Sequence, residues 1–203
     1  MLIKALPVGQ LETNCYIVTD EETLECAIID PGAEANTILE YIESNNLKPT
    51  AIMLTHGHFD HCIALDGVME EVDAPAYVHK SEITTDHAKE RYKIRDNGKL
   101  SFYGEGDVIK VGKLEFYVME TPGHTDGSVT LRCENALFTG DTLFKDSCGR
   151  TDIGGNFQMM MNSLKRLAEL EGDYEVYPGH EEFTTLSHER SFNQHMIRAV
   201  SRA

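Results

Sequence analysis

The sequence predicts an α/β (α+β) chain with helices outside packed sheets, in a single domain over residues 1–203. Three observations predict it. Two β-rich halves each carry helices, and apolar sheet faces must be covered by another layer. The chain has 203 residues, one domain's length, enough to bury roughly 70% of its unfolded surface without staples. Metal-capable side chains also recur just past apolar runs that read as strands, which places them at a sheet edge.

Leu2 to Leu6 reads as a strand stopped by Pro7 and Gly9. Asn14 to Thr19 and Cys26 to Ile29 are the next two strands, joined through the acidic turn Asp20-Glu21-Glu22. Asp30-Pro31-Gly32 ends the third strand, and Asp30 taken alone is a turn residue. Ile38, Leu39 and Ile42 recur at helical spacing and predict a helix from about Glu34 to Asn45. The apolar run Ala51-Ile52-Met53-Leu54 is a buried strand, and a helix runs from Asp60 to about Glu71. Pro75 to His79 is a short strand, Ser81 to Arg91 a helix, and Asp96 to Gly106 an exposed irregular loop. Val108 to Lys110 and Leu114 to Glu120 form a hairpin through Val111-Gly112-Lys113. Val129 to Cys133 and Ala136 to Thr139 form another pair, and a glycine-rich loop from Cys148 to Gly155 precedes a helix from about Phe157 to Leu170. Glu175 to Tyr177 is the last strand, and Glu189 to Val200 a closing helix.

The stretch Thr55-His56-Gly57-His58-Phe59-Asp60-His61 concentrates four metal-capable side chains at the end of a buried strand. Residues two apart in an extended chain point to the same side, so His56 and His58 can grip one ion. Asp60 suits a helix N-cap, with its carboxylate free to take amides or reach a second ion. His124, Asp141 and His180 each follow another apolar strand within or beside a glycine turn. Glycine lets the backbone bend there and brings the side chain to the sheet edge. Five imidazoles and two carboxylates exceed what one zinc-type ion takes and suit two divalent ions, one carboxylate bridging them. Mixed nitrogen and oxygen donors accept zinc, iron or manganese. His79, His87, His188 and His195 lack the strand-end context and read as surface or supporting residues.

Composition removes several classes. The net charge is −16, which repels phosphate backbones and argues against nucleic acid as a partner. The five cysteines, Cys15, Cys26, Cys62, Cys133 and Cys148, are odd in number and contain no Cys-x-x-Cys pair. That favours free thiols in a reducing cytoplasm, with Cys62 and Cys148 as small packing residues. The N-terminal residues lack a long apolar stretch and no run of 18 apolar residues occurs, so neither a signal peptide nor a membrane span is expected. Oligomeric state is left open.

Thr-His-x-His-x-Asp-His, then Pro-Gly-His-Thr, Gly-Asp-Thr-Leu-Phe and Pro-Gly-His, in this order, resembles the metallo-β-lactamase superfamily, in particular its glyoxalase II-like hydrolases. The resemblance implies a four-layer αββα sandwich with the metals in a groove at one edge of the sheets. It implies that His56, His58 and His124 hold one metal, Asp60, His61 and His180 the second, and that Asp141 bridges them. Asp30, in Ile-Asp-Pro-Gly, matches a buried acid that supports the ligand loops. Oxygen-reducing flavodiiron relatives carry Glu where this chain has His58. Cys148-Gly149-Arg150 matches an element near the glutathione pocket of glyoxalase II. That enzyme has Tyr two residues after the base, where this chain has Asp152, and a C-terminal helical extension with basic residues that this chain does not reach.

The expected reaction is therefore hydrolysis of a small thioester by a metal-bound hydroxide, with two divalent ions, zinc foremost. Asp60 holds a metal and orients the nucleophile. Arg150 and Lys145 are the candidates to receive a substrate carboxylate. The alternative is a sulfur dioxygenase of the same superfamily. Those enzymes use one iron, held by the equivalents of His56, His124 and Asp141, and share the run that reads Cys148-Gly149-Arg150-Thr151-Asp152 here.

Overall fold

The computed structural model describes residues 1–84, 94 and 98–201. Six strands form the first sheet: β1 (Leu2–Val8), β2 (Thr13–Thr19), β3 (Glu25–Ile29), β4 (Lys48–Met53), β5 (Ala76–His79) and β6 (Leu100–Tyr103), in that spatial order. The first three pair antiparallel and the last three join in parallel. The second sheet has the order β14-β13-β10-β9-β8-β7. Its strands are β7 (Val108–Val111), β8 (Leu114–Glu120), β9 (Val129–Cys133), β10 (Ala136–Gly140), β13 (Glu175–Pro178) and β14 (Thr184–Thr185). A small hairpin, β11 (Leu143–Phe144) and β12 (Ser147–Cys148), stands apart.

Alternation along the strands builds the layers. On β2, Cys15 and Ile17 face outward to a helical layer while Tyr16 and Val18 face the other sheet. The outer partners are Ile38 and Ile42 of α1 (Ala35–Ser44), Cys62 of α2 (Phe59–Cys62), and Leu65, Val68 and Met69 of α3 (Leu65–Glu71). Between the sheets lie Ile29, Met53, Phe116, Leu131 and Phe138. On the far side, Leu137 and Val176 pack under Met160, Leu164 and Leu167 of α5 (Phe157–Ala168) and Met196 of α7 (Gln194–Ser201). All of β2 is buried because both of its faces are covered. The four-layer αββα arrangement implied by the resemblance is thus present. Among the described residues no helix is long and apolar enough to cross a membrane.

Several elements depart from the sequence reading. β1 continues through Pro7, which lies opposite Asn14 at the sheet edge, where a missing N–H costs no ladder bond. The segment read as a loop from Asp96 to Gly106 contains β6. This strand has no hairpin partner, and it is fixed by parallel pairing to β5 and by the Tyr103 hydroxyl donating to Leu54 O at 2.5 Å. The helix expected from Asp60 to Glu71 divides into α2 and α3, where the Ala64 amide donates to Pro31 O instead of continuing the helix. His58, not Asp60, is the N-cap of α2, and Asp60 lies in its first turn. The closing helix divides at Asn193 into α6 (Leu186–Phe192) and α7. Asn193 is fully buried, donates to Ser147 O and Glu189, and accepts the amide of Met196, so it caps α7 from within. The helix from Ser81 is described only as α4 (Ser81–Thr84), and His87 lies outside the described residues.

Phe138 joins the two halves of the inter-sheet core. Its ring stacks on Tyr177 at 5.3 Å and meets the edge of Tyr16 at 5.2 Å. Phe138→Ala should lower unfolding free energy by about 3–5 kcal/mol, read as a lower urea midpoint with an unchanged slope.

Candidate metal centre

Four strand ends converge on one edge of the sandwich. The segment after β4 supplies His56, His58, Asp60 and His61; those after β8, β10 and β13 supply His124, Asp141 and His180. Gly140 turns the chain at φ 48° so that Asp141 leaves β10 toward the site. A Cβ there would stand 2.3 Å from Thr55 Oγ1, so only glycine fits. Asp141 and His180 arrive side by side because β10 and β13 pair in parallel, with Gly140 opposite Pro178.

All seven residues meet, in two sets. His58 Nδ1 lies 3.1 Å from His56 Nε2 and 2.7 Å from His124 Nε2. His180 Nε2 lies 3.3 Å from His61 Nε2 and 3.2 Å from Asp60 Oδ2. Asp141 stands between the sets: Oδ1 is 3.4 Å from His61 Nε2, and Oδ2 is 3.4 Å from His124 Nε2. Nitrogens bound tetrahedrally to one zinc-sized ion at about 2.0–2.1 Å would stand roughly 3.3 Å apart. The observed spacings fit one small cation per set.

Hydrogen bonding on the outer side fixes the rings. His124 Nδ1 donates to Arg150 O at 2.7 Å and His180 Nδ1 donates to Leu11 O at 3.0 Å, since a carbonyl can only accept. His61 Nδ1 is 2.9 Å from Asp30 Oδ2. Each of these rings therefore directs Nε2 inward, where it can hold either a proton or a cation. Asp30 also accepts the Thr55 amide at 2.7 Å and the Thr55 hydroxyl at 2.6 Å, so one buried carboxylate anchors both ends of the ligand segment. Asp141 Oδ1 is buried and, among the described residues, meets no hydrogen-bond donor. Converging lone pairs with an orphaned carboxylate oxygen between them are the donor set a cation completes.

The electrostatics agree. Burial, then the neighbouring rings, hold His56 well below the usual imidazole range. Burial, with His124 beside it, lowers His58 to about 4. Both are neutral at physiological pH, the form that binds metal. Burial also opposes charge on His61, but Asp141 and Asp30 override it and hold that ring well above its ordinary value. His180 behaves alike: burial opposes its charge, while Asp60 and Asp141 raise it. The second set thus attracts positive charge in the absence of a metal.

Arg150 lines the cleft over the centre with Leu11, Phe59 and Ile153, in a space of about 370 Å³. Its guanidinium forms a two-pronged pair with Asp152, both bonds 2.7 Å. Lys145 instead pairs with Glu182 and is not among the residues lining that cleft. Cys62 and Cys148 are free thiols, as are the other three cysteines. Burial raises Cys62 to about 12 and Cys148 to about 11, so neither is a thiolate nucleophile at neutral pH. Among the other histidines, His79 pairs with Glu120, His188 with Asp146, and His195 is exposed.

Glu82 escaped the sequence reading. It is 1% exposed and accepts the amides of Gly57 at 2.7 Å and Gly127 at 2.8 Å. It therefore ties the loop bearing His56 and His58 to the loop bearing His124. An acid near the start of α4, 25 residues from Gly57 and 45 from Gly127, gives no pattern that marks it. Leu11 was likewise missed, because its contribution to the centre is a backbone carbonyl.

The family model described as the metallo-beta-lactamase superfamily matches residues 8–180. A protein of Aquifex aeolicus is 41% identical, over 95% of this chain and 96% of its own. The probable metallo-hydrolase YqgX of Bacillus subtilis is 34% identical, over 94% of this chain and 95% of its own. The hydroxyacylglutathione hydrolase GloC of Haemophilus influenzae is 29% identical, over 95% and 97%. Among solved structures, the B3 metallo-beta-lactamase BLEG-1 superposes with a TM-score of 0.85 at 30% identity, covering 96% of this chain and 99% of that one. ETHE1 from Myxococcus xanthus gives 0.82 at 29%, covering 99% and 85%. TTHA1623 in a di-iron-bound form gives 0.81 at 32%, covering 94% and 98%.

Removing the anchor should loosen the centre without touching a ligand. Asp30→Ala leaves the His61 ring unheld and the Thr55 amide without its acceptor. Metal affinity, measured by competition with a chelator, should fall about 10- to 100-fold.

Proposed function

The chain belongs to the metallo-beta-lactamase superfamily, and from that premise we propose that it is a metal-dependent hydrolase of small thioesters. The observation that carries this reading is Asp141, which presents one oxygen to each of two histidine-containing sets. His56, His58 and His124 would hold one divalent ion, and Asp60, His61 and His180 the other, with Asp141 shared. Zinc suits the donors, and iron or manganese would be accepted; the di-iron form of TTHA1623 supports a two-ion centre. Two such ions supply a water of lowered pKa and an electrophile for the carbonyl oxygen and the leaving sulfur.

The chain's own residues supply position and proton handling. Burial works against the charge on Asp60, but the His180 hydrogen bond and the charge of His61 together outweigh it and keep the carboxylate ionised. Asp60 can therefore accept a hydrogen bond from the attacking water and orient it. Water adds to the carbonyl carbon, the C–S bond breaks, and the proton lost from the water balances the one the thiolate takes up. Arg150 lines the same cleft, and a carboxylate on the thiol half would compete with Asp152 for its guanidinium. The match to GloC over 97% of its length supports a hydroxyacylglutathione-like substrate. Five free cysteines fit a cytoplasmic setting.

A second reading is sulfur dioxygenation at one iron, favoured by the run Cys148-Gly149-Arg150-Thr151-Asp152. Metal content and two assays separate them. The hydrolase reading expects two ions per chain by elemental analysis and cleavage of S-D-lactoylglutathione without oxygen uptake. Asp141→Ala should abolish turnover and strip both ions. Arg150→Ala should raise KM more than it lowers kcat, because a contact remote from the reacting bond contributes largely uniform binding. One iron per chain with oxygen uptake on glutathione persulfide would establish the dioxygenase instead.

A further inference from the structure

One residue outside the seven ligands brackets the last of them. Asn14, the second residue of β2, is 5% exposed. Its backbone amide donates to Gly179 O at 2.8 Å, and its side-chain Nδ2 donates to Pro178 O at 3.1 Å and to Glu181 O at 3.2 Å. Carbonyls only accept, so the nitrogen end of the side-chain amide must face them, and both of its hydrogens are used. One residue thus holds the chain on both sides of His180. The turn needs such holding. Glu181 sits at φ 66°, a left-handed backbone that a residue with a side chain keeps only where its surroundings impose it. Gly179 presses on the centre itself: a Cβ there would stand 2.4 Å from Asp141 Oδ1 and 2.6 Å from His61 Cε1. Packing alone does not fix His180, whose side chain is 19% exposed against 0% for His61 and 4% for His124.

We infer that Asn14 is a positioning residue for the second metal position. It sets where His180 Nε2 stands relative to His61 and Asp60, and so governs the affinity of that ion while leaving the other alone. This rests on the two-ion centre proposed above. None of the three hydrogen bonds reaches the first set: His56 and His58 follow β4, His124 follows β8, and Glu82 ties those two loops to each other. A group that orients a ligand from behind carries part of the metal affinity without touching the metal. The side-chain chemistry required is specific. An aspartate has the same shape but sets an oxygen against two carbonyl oxygens, and even when protonated it returns one hydrogen bond of the two. Alanine keeps the backbone bond to Gly179 and loses both side-chain bonds.

The test is metal binding by the full chain, read with zinc and with cobalt. Zinc titrated against a chelator should give two dissociation constants for the unaltered protein. Asn14→Asp should weaken one of them about 10- to 100-fold and leave the other unchanged. Asn14→Ala, which adds no charge, should weaken the same one by less, and it carries the measurement if Asn14→Asp does not fold. Cobalt identifies the position. In the paramagnetic proton spectrum the exchangeable Nδ1 protons of His124 and His180, bonded to Arg150 O and Leu11 O, report the first and second ions, and the His180 signal is the one missing from His180→Ala. At a cobalt level that fills both positions of the unaltered protein, the Asn14 variants should keep the His124 signal and lose that of His180. Equal weakening of both ions, or a lower melting temperature with both affinities unchanged, would overturn the positioning role and leave the two-ion centre standing. A single bound ion in the unaltered protein would overturn the two-ion reading and this inference with it.

Discussion

Two imidazole nitrogens, His61 Nε2 and His180 Nε2, face each other at 3.3 Å while the other nitrogen of each ring is held by an oxygen from outside the centre. Nitrogens so placed repel unless a shared proton or a cation lies between them. That constraint requires something rigid behind each ring, and the sandwich supplies it. β4, β8, β10 and β13 end at the same edge because the two sheets stack on a shared core. The buried carboxylates of Asp30 and Glu82 then lock the intervening loops. Preorganisation of this kind lowers the reorganisation that metal binding would otherwise demand.

The centre was more legible in the sequence than the architecture around it. His56, His58, Asp60 and His61 fall in one short segment, and His124, Asp141 and His180 each follow a strand and a glycine, so local pattern sufficed to list them. Their division into two sets, and the role of Asp30 beyond a turn, came only from likeness to a known family. The structure gives the physical cause for Asp30: a left-handed backbone at φ 52° points its carboxylate back under Thr55 and His61. Glu82 and Leu11 were not legible, because one acts through backbone amides distant in sequence and the other through its own carbonyl.

The misjudged elements share a cause as well. β6 has no hairpin partner and exists because β5 offers an open parallel edge. The breaks between α2 and α3 and between α6 and α7 come from tertiary hydrogen bonds, Ala64 to Pro31 in the first and the buried Asn193 side chain to Ser147 and Glu189 in the second. Periodicity reports which face is apolar and is blind to such local captures. The elements whose burial pattern was unambiguous, β2, β4 and α5, stand close to where periodicity put them.

The parallel pairing of β10 with β13 also divides the centre. His61 and His180 are 119 residues apart, and β13 must dock before His180 reaches the edge. The first histidine set, His56, His58 and His124, is complete without β13, whereas the second needs His180 from the far end of that strand. The two halves of the centre therefore depend on different amounts of folded chain: undocking β13 would dismantle the second set and leave the three imidazoles of the first in place.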